Sequence, residues 1–216
     1  MMPIKAILFD FDGTLAELNV DFIRMRKAVL DLMSNYCSVP DNIKGCYVLE
    51  MIDAGKELVF KNNPGRENDF FKKAHKLICH IETAGSKKGR LLAGTREVLQ
   101  LLREKRVKTG IVTRNCMAAI KQIFPDIDLH CDAVITREFT TQVKPHPVHL
   151  LTALDALDTD AHSAAMVGDH PMDITAGREA GTYTIGVLTG YSGFEALRDA
   201  GADMIIEKAA DIPQVL

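Results

Sequence analysis

Asp10 and Asp12 stand two residues apart in Phe9-Asp10-Phe11-Asp12-Gly13-Thr14, directly after the largely apolar run 4–9. In an extended chain such residues point the same way, so two carboxylates can converge where a buried strand stops. Gly13 then permits a sharp turn that a residue with a Cβ would resist. Three further clusters carry reactive or charged side chains: Thr113-Arg114-Asn115, Lys144-Pro145-His146-Pro147, and Gly168-Asp169-His170-Pro171-Met172-Asp173. Clustered Asp residues offering oxygen donors suit Mg²⁺, a hard ion that keeps waters and binds phosphate. A lysine and a hydroxyl beside them suit the remaining charge of a phosphoryl group. One carboxylate can attack phosphorus, and a second can protonate the leaving oxygen and later take a proton from water.

Singly, each cluster has a structural reading: a helix cap, a surface charge, turn and first-turn helix residues. What brings them together is the alternation of elements after Gly94. Thr95 can cap a helix to about residue 106, followed by a strand over 107–112, a helix over 116–124 and a short strand over 133–135. Pro147 suits the start of a helix to about 157. A strand over 164–167, a helix over 171–180, a strand over 182–188, a helix over 194–200 and a last strand over 204–206 complete the pattern. Such alternation predicts an α/β fold, a three-layer parallel sheet of the Rossmann type with helices on both faces. The four clusters then fall at carboxyl ends of strands or in the loops that follow, on one sheet edge, where open α/β sheets bind ligands.

Residues 16–86 have a different period. Phe22, Met25, Val29, Leu32, Met33 and Tyr36 form a helical stripe that ends before Pro40. A second helical region covers 43–61, with a bend expected at Gly55, and Asn62-Asn63-Pro64-Gly65 stops it. A third covers 67–83, with Gly85 expected as its C-terminal cap. The expected domains are therefore a core of residues 1–15 and 87–216 and an all-helical insert of 16–86.

The 216 residues include 47% hydrophobic and 25% charged side chains, an ordinary globular balance. A net charge of −3 gives no electrostatic case for nucleic acid or an anionic membrane. No apolar run reaches bilayer length. Five scattered cysteines without CxxC spacing predict reduced thiols and a cytoplasmic setting, not a disulfide frame or zinc site.

With these motifs in order, the sequence resembles the haloacid dehalogenase superfamily of phosphohydrolases, subfamily I with a type-1 helical cap, in the manner of the phosphoglycolate phosphatases. The matches are DFDGT (residues 10–14), Thr113 after an apolar strand, Lys144 before a proline, and GDxxxD (residues 168–173). The resemblance implies that Asp10 is the nucleophile and Asp12 the general acid/base. It implies that Thr113 hydrogen-bonds the transferring phosphoryl group and that Lys144 neutralises phosphate and orients Asp10. Gly13 and backbone amides of Arg114 and Asn115 are the implied phosphate or substrate contacts. The implied Mg²⁺ ligands are Asp10, the backbone carbonyl of Asp12, Asp169 and Asp173, the last directly or through the ion's hydrogen-bond shell. His146 and His170 lie inside the motifs with no catalytic role implied.

The expected activity is Mg²⁺-dependent hydrolysis of a small phosphorylated metabolite by a monomer or weak homodimer. Asp12 and the acidic site disfavour dehalogenation, phosphonate cleavage and ion pumping. Ala16-Glu17-Leu18-Asn19 departs from the Asp-plus-hydroxyl stretch that many phosphoglycolate phosphatases and β-phosphoglucomutases carry there. A phosphomutase on the same scaffold is the alternative. A phospho-acceptor regulatory domain ranks behind both, because it has no use for Asp12 or a helical insert of this size.

Overall fold

A computed structural model describes residues 4–215. The elements run, in chain order, β1 (Ala6–Phe9), β2 (Ala16–Glu17), α1 (Phe22–Ser34), α2 (Asp41–Lys44), α3 (Val48–Asn62), α4 (Glu67–Ser86), β3 (Arg90–Leu91), α5 (Thr95–Glu104) and β4 (Lys108–Thr113). There follow α6 (Met117–Ile123), β5 (Ala133–Thr136), α7 (Val148–Ala156), β6 (Ala164–Gly168), α8 (Pro171–Ala180), β7 (Tyr183–Val187), α9 (Phe194–Asp199) and β8 (Met204–Ile206).

The chain divides into two compact units, residues 19–85 and the remainder. In the larger unit six parallel strands lie in the order β5-β4-β1-β6-β7-β8. This is the doubly wound order, with the direction of winding reversing between β1 and β6. Ala6, Ile7, Leu8 and Phe9 are all fully buried, as a central parallel strand covered on both faces requires. Ala6 and Leu8 join Val112, Leu150, Leu154 and Met166 in a core on the side where α7 and α8 pack. α8 begins at Pro171, whose missing N–H costs nothing there, and ends at Gly181 in the left-handed region.

The sequence expectation for the domain boundary is displaced by a two-stranded element. Ala16 and Glu17 do not start a helix; they pair antiparallel with Leu91 and Arg90 and belong to the larger unit. An exposed Glu17–Arg90 ion pair of 2.8 Å lies across this pair.

In the unit of residues 19–85, α1 buries Met25, Val29 and Met33, and Asp21 caps it by accepting the Arg24 N–H. The second helical region is two helices, α2 and α3. α3 runs through Gly55 without interruption. Gly55 is a packing residue: a Cβ there would lie 2.5 Å from the Met33 methyl and 2.9 Å from the Phe70 ring. Gly85 is not a terminal cap either. It lies within α4, where a Cβ would stand 2.7 Å from the Asn19 carbonyl oxygen. Thr95 likewise is not a cap, since its hydroxyl donates to the Leu15 carbonyl. In all three cases a close tertiary neighbour decided what local pattern could not. No helix among the described residues is long and apolar enough to cross a membrane.

Candidate active site

Asp10 extends β1 by one residue, its N–H donating to the Val167 carbonyl at 2.8 Å. The chain then folds back tightly: the N–H groups of Leu15 and Ala16 both donate to the Phe11 carbonyl, at 3.0 and 2.9 Å. Gly13 takes φ +86°, and a Cβ there would sit 2.5 Å from an Asp169 carboxylate oxygen. That residue thus makes the turn and leaves room for the carboxylate. Asp12 is 8% exposed and accepts the Leu18 N–H at 2.8 Å, so its carboxylate is tied to the backbone just after β2.

Lys144 arrives from the loop between β5 and α7 and is almost wholly buried. Its ammonium pairs with Asp10 at 2.8 Å and Asp173 at 2.7 Å. Burial opposes the lysine's charge, but the two carboxylates outweigh it and hold the ammonium above its ordinary pKa. Asp173 lies in the first turn of α8, where its other oxygen accepts the His170 N–H at 3.0 Å. The His170 ring accepts the Met172 N–H and completes a capping box. That is a structural role for His170. His146 is exposed and accepts the Val148 N–H.

Asp169 follows β6 and is 1% exposed. It accepts the Thr14 hydroxyl at 3.2 Å and the Tyr191 N–H at 2.9 Å. Burial, then the Asp10 and Asp173 charges, push it up to about 7. Burial also pushes Asp10 up to about 6 against the pull of Lys144, with Asp173 adding to the rise. Oxygens of Asp10, Asp169 and Asp173 all lie within 4.8 Å of one another. Three carboxylates at this spacing, two of them buried and Asp10 nearly so, with one ammonium to balance them, are the donor set that a hard divalent cation fits. The Asp12 carboxylate lies outside this trio.

Thr113, at the end of β4, is fully buried, and its oxygen accepts both the backbone N–H and the side-chain amide of Asn115, at 3.2 and 3.3 Å. A hydroxyl accepting in this way keeps its own proton to donate. The Arg114 guanidinium is turned to the Lys144 carbonyl at 2.5 Å and lies 3.0 Å from the Met172 sulfur. Its own carbonyl accepts from the Arg137 guanidinium at 2.8 Å. The structure therefore brings Asp10, Lys144, Asp169 and Asp173 into direct contact or close range. Thr113, Arg114 and Asn115 form a bonded group on the neighbouring strand end, the Arg114 side chain reaching Lys144.

Residues absent from the sequence reading also hold this site. The Thr189 hydroxyl donates to the Gly13 carbonyl at 2.6 Å. A Cβ on Gly190 would overlap the Asp169 carboxylate. Tyr191 bonds Asp12 through its hydroxyl, and burial first, then the acidic neighbours, push that hydroxyl up to about 12. The signal for them was the carboxyl end of β7, a further strand end on the same edge. Buried Arg137 and His149 had no such signal.

A model of the haloacid dehalogenase-like hydrolases matches residues 7–187. A pyrophosphatase named PpaX from Bacillus cereus is 30% identical over 226 residues, covering 100% of this chain and 97% of that protein. Among solved structures, a hydrolase from Pseudomonas syringae has a TM-score of 0.73 at 19% identity, over 97% of this chain and 96% of that one. A predicted phosphoglycolate phosphatase from Haemophilus somnus has a TM-score of 0.68 at 20% identity, over 100% and 99%. These two share the fold. The extent of the family match, on a chain with this strand order and acidic edge, makes the protein a member of the haloacid dehalogenase-like hydrolases.

Proposed function

We propose that the protein is a Mg²⁺-dependent phosphatase that hydrolyses a small phosphorylated metabolite, a phosphate monoester, through an aspartyl phosphate on Asp10. The observation that carries this reading is the Lys144 ammonium bridging Asp10 and Asp173, with Asp169 alongside. Asp10, Asp169 and the Asp12 backbone carbonyl would hold Mg²⁺, with Asp173, which already pairs with Lys144, acting directly or through the ion's hydrogen-bond shell. When bound, the ion would neutralise the carboxylates and the phosphate oxygens.

Lys144 holds one Asp10 oxygen, which leaves the other to attack phosphorus as the ester P–O bond breaks. Asp12, fixed by Leu18 and Tyr191, gives its proton to the leaving alkoxide. The same carboxylate then takes a proton from water as that water attacks the phosphorus of the aspartyl phosphate. Inorganic phosphate leaves and Asp10 is regenerated. The Thr113 hydroxyl and the Lys144 ammonium serve the equatorial phosphoryl oxygens. The names of the Bacillus cereus pyrophosphatase and the Haemophilus somnus phosphatase support phosphate chemistry. Five free cysteines support a reduced, cytoplasmic setting.

The test is phosphate release from glycolate phosphate, hexose phosphates, nucleoside monophosphates, an aromatic phosphate and inorganic pyrophosphate, with Mg²⁺ and with chelator. Metal-dependent release from a monoester is expected. Isomerised sugar phosphate without release would replace the phosphatase reading with the mutase. Stable phosphate uptake with neither would favour the regulatory domain.

A further inference from the structure

The Lys144 ammonium is fixed by two carboxylates, but the backbone from which its side chain starts needs fixing too. A long flexible side chain can reach the same pair of carboxylates from several backbone positions. Two side chains hold that backbone. Arg114 donates to the Lys144 carbonyl, and His149 accepts the Lys144 N–H on Nδ1 at 3.2 Å. His149 is the second residue of α7 and is fully buried. Its other ring nitrogen lies 3.2 Å from the Ile135 carbonyl, in the edge strand β5.

These partners determine the state of the ring. A neutral imidazole has one donor and one acceptor. Nδ1 receives an N–H and must be the acceptor, so Nε2 carries the proton and donates it to Ile135. An imidazolium would set two N–H groups against each other at Nδ1. Burial, then the Lys144 and Arg114 charges, push the ring's pKa down to about 3. With both ring nitrogens engaged by backbone groups and the side chain fully buried, the ring offers substrate neither a free lone pair nor a free N–H, which leaves geometry as its contribution.

We propose that His149 is a positioning residue for Lys144: its imidazole, braced on the Ile135 carbonyl, fixes the Lys144 amide so that the ammonium lands between Asp10 and Asp173. The proposal rests on the reading of Lys144 as the phosphate-neutralising group. The arrangement follows from the chain's path. Four residues separate Lys144 from His149, enough for the loop to turn into α7 and bring the ring back to the Lys144 N–H.

Three variants and one spectrum test this. His149→Asn keeps an acceptor near the Nδ1 position, His149→Gln keeps a donor near the Nε2 position, and His149→Leu keeps neither. Each is assayed with an aromatic phosphate for kcat and KM, and by thermal unfolding, beside Lys144→Ala. His149→Leu is expected to lose up to roughly 100-fold in kcat/KM, the scale of a misplaced catalytic group. His149→Asn is expected to recover more of that loss than His149→Gln, even where the two unfold at the same temperature. Recovery by Gln and not Asn would show that His149 serves only to brace β5, and would overturn the proposal. So would a loss in all three that follows unfolding temperature alone. Retained activity in Lys144→Ala would instead remove the reading of Lys144. Nitrogen-15 spectra of labelled histidine need no turnover: a ring protonated only on Nε2 from pH 5 to 9 is expected, and one that gains a proton near pH 6.5 contradicts the arrangement.

Discussion

The two units of this chain use burial in opposite ways. The helical unit of residues 19–85 buries Met25, Val29, Met33, Met51, Ile52, Phe70 and Ile78, and keeps its ion pairs, such as Lys73–Asp69, at the surface. Among its described residues Glu82 is the buried charged side chain. The α/β unit buries Asp12, Arg137, Lys144, Asp169 and Asp173 together, near one sheet edge. Burying a charge is costly unless it is paired, and replacing a buried ionic group with an apolar one is often neutral or stabilising. The contrast teaches where stability and function separate: in the helical unit a side chain's main work is packing, whereas at the sheet edge it is chemistry at some expense of stability.

The strongest attempt to break that contrast is Asp10→Asn. Turnover should fall on the order of 10⁴-fold or more, while the melting temperature stays level or rises, because burial disfavours the charge removed. Phosphate release and a thermal melt on the same sample would show it. Phe70→Ala is the converse case in the other unit. Its ring is fully buried and packs on Tyr36 at 5.5 Å, edge to face. Loss of about 3–5 kcal/mol in urea unfolding is expected, and an unchanged midpoint would end the contrast from that side.

Gly190→Ala sharpens the picture within the α/β unit. The new Cβ must displace the Asp169 carboxylate, so the Mg²⁺ concentration for half-maximal activity should rise by roughly 10–100-fold. A Mg²⁺ titration at saturating substrate measures it. The smallest effect is in the pH response of the metal-free protein. Asp10 and Asp169 have folded pKa values of about 6 and about 7, above the 3.8 of the unfolded chain. Between those values the native state binds more protons than the unfolded state, so stability falls as pH rises from about 4 to about 7. Mg²⁺, which needs the ionised carboxylates, should reverse the trend. Unfolding curves at several pH values, with chelator and with Mg²⁺, would reveal a slope of the wrong sign.

Much of the sheet was legible in the sequence because buried parallel strands are continuous apolar runs bounded by Asp or Gly, as in β1 and β6. The helix from Pro171 to Ala180 and the strand from Met204 to Ile206 fall where the pattern places them. The pair β2–β3 was not legible, since two residues carry no period. Gly55 and Gly85 were misread because both local rules and close packing select glycine, and only the neighbour tells them apart. The same limit applies to the site. Asp10, Asp12, Lys144, Asp169 and Asp173 stand in motifs of recognisable spacing. The Lys144–Asp10 contact spans 134 residues and the Thr14–Asp169 contact 155, and the supporting side chains His149, Arg137 and Tyr191 stand in no motif that would betray them.

In the proposed reaction Asp10 becomes phosphorylated, and that phosphate can be trapped. The protein would be mixed with Mg²⁺ and its best substrate, quenched in acid within the first turnover, digested, and sequenced by mass spectrometry. Phosphate on Asp10 in the wild type and none in Asp10→Asn is the expected result. Substrate turnover with phosphate on another residue, or undiminished Mg²⁺-dependent turnover in the Asn variant, would contradict it.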